Sequence, residues 1–229
     1  FPMDLSAVIS NFYSRAGLVK LNNGATGSVT FLGTVSPAGG NLKEPVTEST
    51  KKAARCFYAL SQGRADSKRY PAIDPLDSYS KYLEYPEVVE YLDEHIEKNW
   101  VESVYAGKTI MQRGKEANDQ INILGDDGVP VEYHERFWKS ELLDSVILQQ
   151  DAFDAIDANC PIERQKMMYN MVLDICRKSF DFAVFDECSK FFKDLIYLFR
   201  QMNYSEWKSE QFENFRSQIE ALVNSKLAK

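Results

Sequence analysis

Two stretches decide the fold of this chain: GSVTFLGTVSPAGGNLKEPVTEST, from Gly27 to Thr50, and RYPAIDPLDSYS, from Arg69 to Ser80. In the first stretch, the β-branched residues predict a strand over Ser28 to Val35. Apolar residues at helical spacing then predict a helix from Thr47 to Gln62. Beyond Pro75 the pattern predicts no further strand. We therefore predict a mainly α protein, in which a short α/β part leads into a helical bundle.

The remainder of the sequence carries helical patterns, interrupted by a strong turn signal at GDDGVP, from Gly125 to Pro130. Its periodic segments predict helices at Asp4 to Leu18, within Tyr82 to Arg113, and at Glu135 to Ala158, Pro161 to Ser179, Phe185 to Met202 and Ser205 to Leu227. Asn203 with Glu206 is the predicted cap for the last of these. This organisation predicts two domains, an α/β part over residues 1–74 and a helical domain over residues 75–229.

The strand predicted at Ser28 to Val35 has no recognisable partner strand in this sequence. A lone strand leaves its backbone N–H and C=O groups unpaired. We therefore expect its sheet to be completed by residues outside this sequence. The start at Phe1 rather than at a methionine agrees with a piece cut from a longer protein.

Composition excludes several classes of function. With 27 Lys and Arg residues against 34 Asp and Glu residues, the net charge of -7 argues against nucleic acid as the main partner, although a nucleotide needs only a local site. The four cysteines show no CxxC spacing, and only two histidines accompany them, so no metal site is expected. The longest apolar run near the C-terminus, Leu195 to Phe199, is too short to span a membrane.

Three segments resemble the catalytic A (alpha) subunit of V/A-type rotary ATPases. They are SPAGGNLKEPVT from Ser36 to Thr47, CFYAL from Cys56 to Leu60, and ILQQDAFDAIDANCPIERQ from Ile147 to Gln165. YPAIDPLDS, from Tyr70 to Ser78, is closer to the beta subunit of F-type synthases, because A subunits usually read nearer to FPAINW there. The resemblance covers nearly the whole chain. It implies that residues 1–74 end a nucleotide-binding domain and that the chain is the C-terminal part of a catalytic subunit.

The resemblance also implies an adenine pocket. Tyr70 stands where the family places an aromatic ring that stacks on adenine, and Phe153 stands where the family closes the other face. Gln150 and the backbone near Ala152 would meet the polar edge of the base, although Asp151 replaces the more usual asparagine. Outside this resemblance, Tyr70 would be interpreted as a surface aromatic and Phe153 as a helix-core residue.

A further segment, NILGDDGVPVEYHE from Asn122 to Glu135, resembles in position the acidic loop that rotary catalytic subunits press against the central rotor stalk. Asp126, Asp127 and Glu132 are its candidate rotor contacts, since a negative loop attracts a basic shaft. Taken alone, the segment would be interpreted as an ordinary solvated turn.

For the parent protein, the resemblance implies binding of ATP or ADP with Mg²⁺, in a hexameric ring where A subunits alternate with B subunits. Turnover would drive the rotor stalk and, through it, ion transport, with proton and sodium left open. The subunit would be peripheral, on the cytoplasmic face of the membrane. We expect the catalytic residues to precede Phe1. The chain by itself should hold no nucleotide tightly and should not hydrolyse ATP.

Three alternatives remain open from the sequence. The chain could be part of an F-type beta subunit, on the evidence of YPAIDPLDS, or a self-contained helical module that binds protein partners. A kinase that uses Gly107-Lys108-Thr109 as the end of a phosphate loop is disfavoured. Such a loop needs glycine where Glu102 stands.

Overall fold

The structure is a computed structural model that describes residues 3–228, so the first residues of the predicted α/β domain lie outside it. Its four strands all fall before residue 81: β1 (Gly17–Lys20), β2 (Thr26–Val29), β3 (Cys56–Leu60) and β4 (Ile73–Ser80). Its α-helices are α1 (Leu5–Tyr13), α2 (Pro45–Ala53), α3 (Gln62–Asp66), α4 (Pro86–His95), α5 (Trp100–Leu124), α6 (Val131–Leu143), α7 (Ala155–Ala158), α8 (Ile162–Arg177), α9 (Phe185–Asn203) and α10 (Glu210–Asn224). The predicted mainly α fold class is confirmed.

The predicted lone strand has a partner within the chain. β2 pairs antiparallel with β1, so that Gly17 lies opposite Val29. The two strands are joined through Asn23-Gly24, where Gly24 has φ +84° and the N–H of Ala25 donates to Asn23 Oδ1 at 3.0 Å. Asn-Gly is a strong hairpin signal, and the sequence interpretation missed it. The prediction of an unpaired strand over residues 28–35 is therefore wrong, and so is the argument for an outside sheet that rested on it.

A second hairpin replaces part of a predicted helix. Instead of running to Gln62, α2 ends at Ala53, and β3 then pairs antiparallel with β4. β4 extends beyond Pro75, which contradicts the prediction of no strand there. Proline lacks a backbone donor, but the pairing register shifts between Phe57 and Ala59, so Pro75 lies at an irregularity rather than in a regular ladder. The Asp74 carboxylate accepts the next two backbone donors, from Leu76 and Asp77.

The helical part holds the main core. Its completely buried large side chains come from α6, α8, α9 and α10, among them Leu142, Leu173, Phe192, Leu195, Phe199 and Phe212. These positions agree with the apolar spacing that predicted the helices.

Several predicted helix boundaries are wrong. The helix predicted over Glu135 to Ala158 ends in a π-helical turn, Asp144–Leu148, and a loop separates that turn from α7. α10 begins at Glu210 and is capped by Ser209, whose Oγ accepts from the N–H of Phe212 at 3.2 Å, so the predicted cap at Asn203 is wrong. α1 ends at Tyr13, before the first hairpin begins, and α5 continues to Leu124.

Within residues 3–228, no helix combines the length and the apolar character needed to cross a membrane.

Candidate functional site

The two segments predicted to form the pocket lie side by side. The backbone N–H of Gln150 donates to the carbonyl oxygen of Tyr70 at 2.9 Å. Tyr70 stands in the loop between α3 and β4, and Gln150 follows the π turn that ends α6. A single backbone hydrogen bond therefore joins residues that are 80 positions apart in the sequence.

Both aromatic rings of the predicted pocket are accessible. The Tyr70 side chain is half-exposed, with a relative accessibility of 55%, and its hydroxyl lies 3.4 Å from the carbonyl oxygen of Ala65. Phe153 is fully exposed, so the interpretation of Phe153 as a helix-core residue is wrong. Full exposure of a large apolar ring costs free energy in water, which is consistent with a ring that meets a ligand or a partner.

Asp157, at the end of α7, organises the loop that carries Phe153. Its carboxylate accepts from the N–H of Asp151 at 2.6 Å, and its carbonyl oxygen accepts from Gln150 Nε2 at 2.8 Å. Burial raises the pKa of Asp157 above its ordinary value, although the Asp151 hydrogen bond opposes that change. Ala152 and Phe153 lie exposed within this loop, and the N–H of Phe153 donates to Asp151 Oδ1 at 2.9 Å.

Next to Tyr70 lies a cluster of four charged side chains that the sequence interpretation did not find. Arg64 donates to the two carboxylate oxygens of Asp144, at 2.8 and 3.1 Å. Arg69 donates to both oxygens of Glu141, at 2.7 and 3.1 Å, and also to Asp144. The Asp144 side chain is only 3% exposed. The hydrogen bond to Glu141, more than the other contacts, raises the pKa of Arg69, and burial opposes it.

An open cleft of about 430 Å³ borders this cluster, and Arg64, Arg69 and Glu141 line it. Two positive charges in a cleft suggest an anion site at first sight. Each guanidinium is, however, already paired with a carboxylate, so the four charges of the cluster cancel. The cluster is therefore better suited to holding two segments together than to capturing a phosphate.

The Gly107-Lys108-Thr109 motif lies within α5 and forms no phosphate loop. Gly107 is buried against the Tyr169 side chain, and Lys108 Nζ donates to the carbonyl oxygen of Ser78 at 3.0 Å. A phosphate loop offers free backbone N–H groups, whereas those within a helix are already engaged. The kinase hypothesis is therefore wrong.

The predicted rotor contacts lie at the tip of the helical hairpin that α5 and α6 form. Asp126 and Asp127 belong to a 3₁₀ turn between the helices, Glu132 lies in the first turn of α6, and all three are exposed. The buried His134 contacts this turn, and its Nε2 lies 3.0 Å from the carbonyl oxygen of Asp126. The hairpin thus presents three carboxylates on a supported tip.

Within the described part of the chain, no group of three or more His, Cys, Asp or Glu side chains is arranged to hold a metal ion. The structure brings Tyr70, Gln150, Ala152 and Phe153 into one region. It places the three acidic candidates elsewhere, at the hairpin tip.

Comparison with known proteins supplies the family context. The ATP synthase alpha/beta family, nucleotide-binding domain, matches residues 1–80. The V-type ATP synthase alpha chain of Treponema denticola is 40% identical over 99% of this chain and 36% of its own length. Its counterpart from Borrelia duttonii is 41% identical over 99% of this chain and 37% of its own length. The alpha chain of Protochlamydia amoebophila is 38% identical over all of this chain and 38% of its own length.

The chain therefore spans little more than a third of the length of these relatives. Among solved structures, an ATP synthase subunit, NeqB, from Nanoarcheaum equitans aligns with a TM-score of 0.55. That alignment covers 76% of this chain and 40% of the other chain at 24% identity, so it shows a likeness of fold alone.

Proposed function

Because the chain belongs to the family of V-type ATP synthase alpha chains, we propose that it supplies the adenine-binding surface and the helical lever of such a catalytic subunit. The sequence prediction of an A-subunit relationship is confirmed by these relatives, which favour it over the F-type beta alternative. One observation carries the proposal further. The hydrogen bond from Gln150 to Tyr70 holds the two pocket segments together, with an accessible aromatic ring on each.

We assign the two faces of adenine to Tyr70 and Phe153. Both rings are open to solvent, and a flat purine would cover part of each. Stacking of a base on an aromatic side chain is worth about 1–3 kcal/mol. The polar edge of the base would meet the backbone near Ala152 and the amide of Gln150. The Gln150 side chain already donates to Asp157, so its amide oxygen is assigned to the amino group of adenine.

This assignment gives the chain the task of binding and orienting the base, with no step of phosphoryl transfer. The sequence contains no GxxxxGK[ST] loop, so the proposal places no phosphate contact on these residues. Mg²⁺, when bound with ATP, neutralises phosphate charge. We therefore expect the chain alone to bind adenine nucleotides weakly and to show no ATP hydrolysis.

We place the chain's parent subunit in a ring, where copies of it alternate with B subunits. The ring would be peripheral to the membrane, on its cytoplasmic face. Closure of the helical part over the nucleotide would move the hairpin tip and so couple turnover to the rotation of a central stalk and to ion transport. The exposed Asp126, Asp127 and Glu132 support this assignment, because they give the tip a negative charge suited to a basic shaft.

The proposed rotor contact predicts a dependence on charge. We expect two effects from the triple change Asp126→Asn, Asp127→Asn and Glu132→Gln. The assembled complex should hydrolyse ATP more slowly when hydrolysis is coupled to rotation of the stalk, and binding of the stalk subunit should depend less on salt. The measurement is stalk-subunit binding across a salt series. The matched control neutralises Asp174, an exposed carboxylate on α8 that is away from the tip. If stalk binding depended equally on salt in the wild type and the triple variant, the assignment of these carboxylates as rotor contacts would be refuted.

The adenine assignment is tested by Tyr70→Ala in the native protein that carries this sequence. Loss of one stacked face should weaken ATP binding by about 5- to 150-fold, the equivalent of 1–3 kcal/mol. The measurement is a binding titration with ATP, together with the melting temperature. Tyr58→Ala is the control, because Tyr58 is similarly exposed but lies on β3. If Tyr70→Ala kept full affinity while its melting temperature fell, Tyr70 would have only a structural role.

A further inference from the structure

We propose that Arg69 and Asp144 are positioning residues that set the spacing of the adenine pocket by clamping its two segments together. This inference rests on the proposed function, because it assigns the charged cluster a role in that same site. It concerns residues that touch no part of the nucleotide themselves. Their effect would reach the base through Tyr70 on one side and Gln150 on the other.

The first half of the clamp is built on the Tyr70 segment. Arg69 immediately precedes Tyr70, and its backbone N–H donates to the carbonyl oxygen of Arg64 at 2.8 Å. Arg64 lies in α3, the short helix that Ser61 caps through its Oγ. Both guanidinium groups reach the same Asp144 carboxylate. The backbone that presents the Tyr70 ring is therefore tied at two neighbouring points.

The second half is built on the Gln150 segment. Asp144 opens the π-helical turn that ends at Leu148. The N–H of Gln149 donates to the carbonyl oxygen of Asp144 at 3.0 Å, and the N–H of Gln150 then donates to Tyr70. A π turn is rare and is frequently found at functional sites.

Together these contacts form a closed circuit. It runs from Tyr70 to Arg69 along the chain, across the ion pair to Asp144, through the π turn to Gln150, and back to Tyr70 by the backbone hydrogen bond. Movement of one segment relative to the other would stretch or break these links. Since Phe153 follows three residues after Gln150, the gap between the two rings depends on this circuit.

The electrostatics favour a positioning role over a purely stabilising one. A buried ion pair gains little over apolar side chains of similar volume, because desolvation offsets most of its attraction. Hydrogen-bonded charge pairs are, however, directional, and the bidentate pairs of Arg64 with Asp144 and of Arg69 with Glu141 admit only a narrow range of geometries. Removing one charge leaves its partner uncompensated and releases that geometry.

The test uses the native protein that carries this sequence and compares two probes, ATP and inorganic tripolyphosphate. Tripolyphosphate measures the phosphate site without the base. Asp144→Asn should weaken ATP binding about tenfold and leave tripolyphosphate binding within about twofold of the wild type. Arg69→Lys keeps the positive charge but loses the bidentate geometry, so it should weaken ATP binding by about threefold.

Two further variants separate the possible outcomes. Glu135→Gln breaks another partly buried ion pair of α6, with Lys139 at 2.6 Å, and should leave ATP affinity unchanged. Tyr70→Ala is measured in parallel as the test of the adenine site itself. Should Asp144→Asn fail to fold, Arg69→Lys decides the question.

If Tyr70→Ala weakens ATP binding while Asp144→Asn and Arg69→Lys do not, the clamp is refuted and the adenine site stands. Equal losses for ATP and tripolyphosphate, or an equal loss in Glu135→Gln, would also refute the clamp, since they indicate a general structural effect. If Tyr70→Ala has no effect on ATP binding, the proposed function fails and the clamp fails with it.

Discussion

At the scale of single residues, burial keeps several ionisable groups of the helical core neutral. Cys188 is completely buried on α9, and burial raises the pKa of its thiol to about 12. Cys176 on α8 has a pKa of about 12 for the same reason. Burial likewise raises the pKa of the Tyr169 hydroxyl to about 12, and this hydroxyl donates to the carbonyl oxygen of Ser103 at 2.7 Å.

These raised values predict alkaline sensitivity. In the unfolded chain a cysteine thiol ionises near its ordinary pKa of 9.0, whereas in the folded chain these thiols stay protonated up to about pH 12. Their contribution to stability is complete below pH 9 and is lost as the pH rises toward 12. In that window, the free energy of unfolding should therefore fall by about 1.4 kcal/mol per thiol for each unit by which the pH rises. The measurement is urea unfolding at a series of pH values from 8 to 11.

Because other groups also titrate in this range, the control is a difference between variants. Cys188→Ala should unfold with a shallower pH slope than the wild type, even though its stability at pH 8 is lower. Identical slopes in the two proteins would contradict the assignment of a buried, protonated thiol.

Residue roles were only partly predictable from the sequence. The resemblance identified Tyr70 and Phe153 as candidates, but only the structure shows that Phe153 is exposed rather than part of the core. Arg69 and Asp144 are 75 positions apart, and a charge pair at that separation leaves no periodic signal. Arg69 could have been suspected only because it stands beside Tyr70.

At the scale of elements, the hairpin of α5 and α6 depends on a close approach at Gly114. A Cβ atom at Gly114 would overlap the Ser140 side chain and lie 3.2 Å from the carbonyl oxygen of Arg136. Glycine is the residue that lets the two helices come this near. This explains why a residue with low helix propensity occupies the middle of a 25-residue helix.

Gly114→Ala should therefore destabilise the chain, although alanine is the better helix former by about 1 kcal/mol. Overpacking typically costs about 1–3 kcal/mol, so the net loss should be about 1 kcal/mol. Denaturant unfolding measures it, with the exposed Lys115→Ala on the same helix as control. Adding Ser140→Gly should recover part of the loss. A Gly114→Ala variant as stable as Lys115→Ala would show that the helices separate without cost.

Elements with strong helical periodicity were predictable from the sequence. Strands that are short and exposed, or that contain proline, were not. α8 and α9 match their predicted spans to within two residues, because their apolar faces repeat over several turns. β1 was missed, and only residues 28 and 29 of β2 fell within the predicted strand, although Asn23-Gly24 is a hairpin signal. Both strands are short and largely exposed, so they carry little apolar pattern. β4 was missed because Pro75 argues against a strand unless a register shift accommodates it.

At the scale of the whole molecule, the α/β part and the helical part meet at Tyr70. The ion pairs from Arg64 and Arg69 to Asp144, and the backbone hydrogen bond from Gln150, join the two parts in this region. The hydrogen bond from Lys108 to Ser78 joins α5 to β4 at a second point. The hairpin tip with its acidic residues belongs to the helical part. A nucleotide held at Tyr70 could therefore influence the tip through α6, which begins near the tip and ends at the charged cluster.

Photochemical labelling tests whether residues of this chain surround an adenine ring. The native protein would be irradiated with 2-azido-ATP, whose reactive group sits on the base, and the labelled peptides would be mapped. We expect adducts on the Tyr70 peptide and within residues 149–153, both suppressed by excess ATP. Adducts that are suppressed by ATP but lie wholly outside these two segments would refute the assignment of adenine to Tyr70 and Phe153.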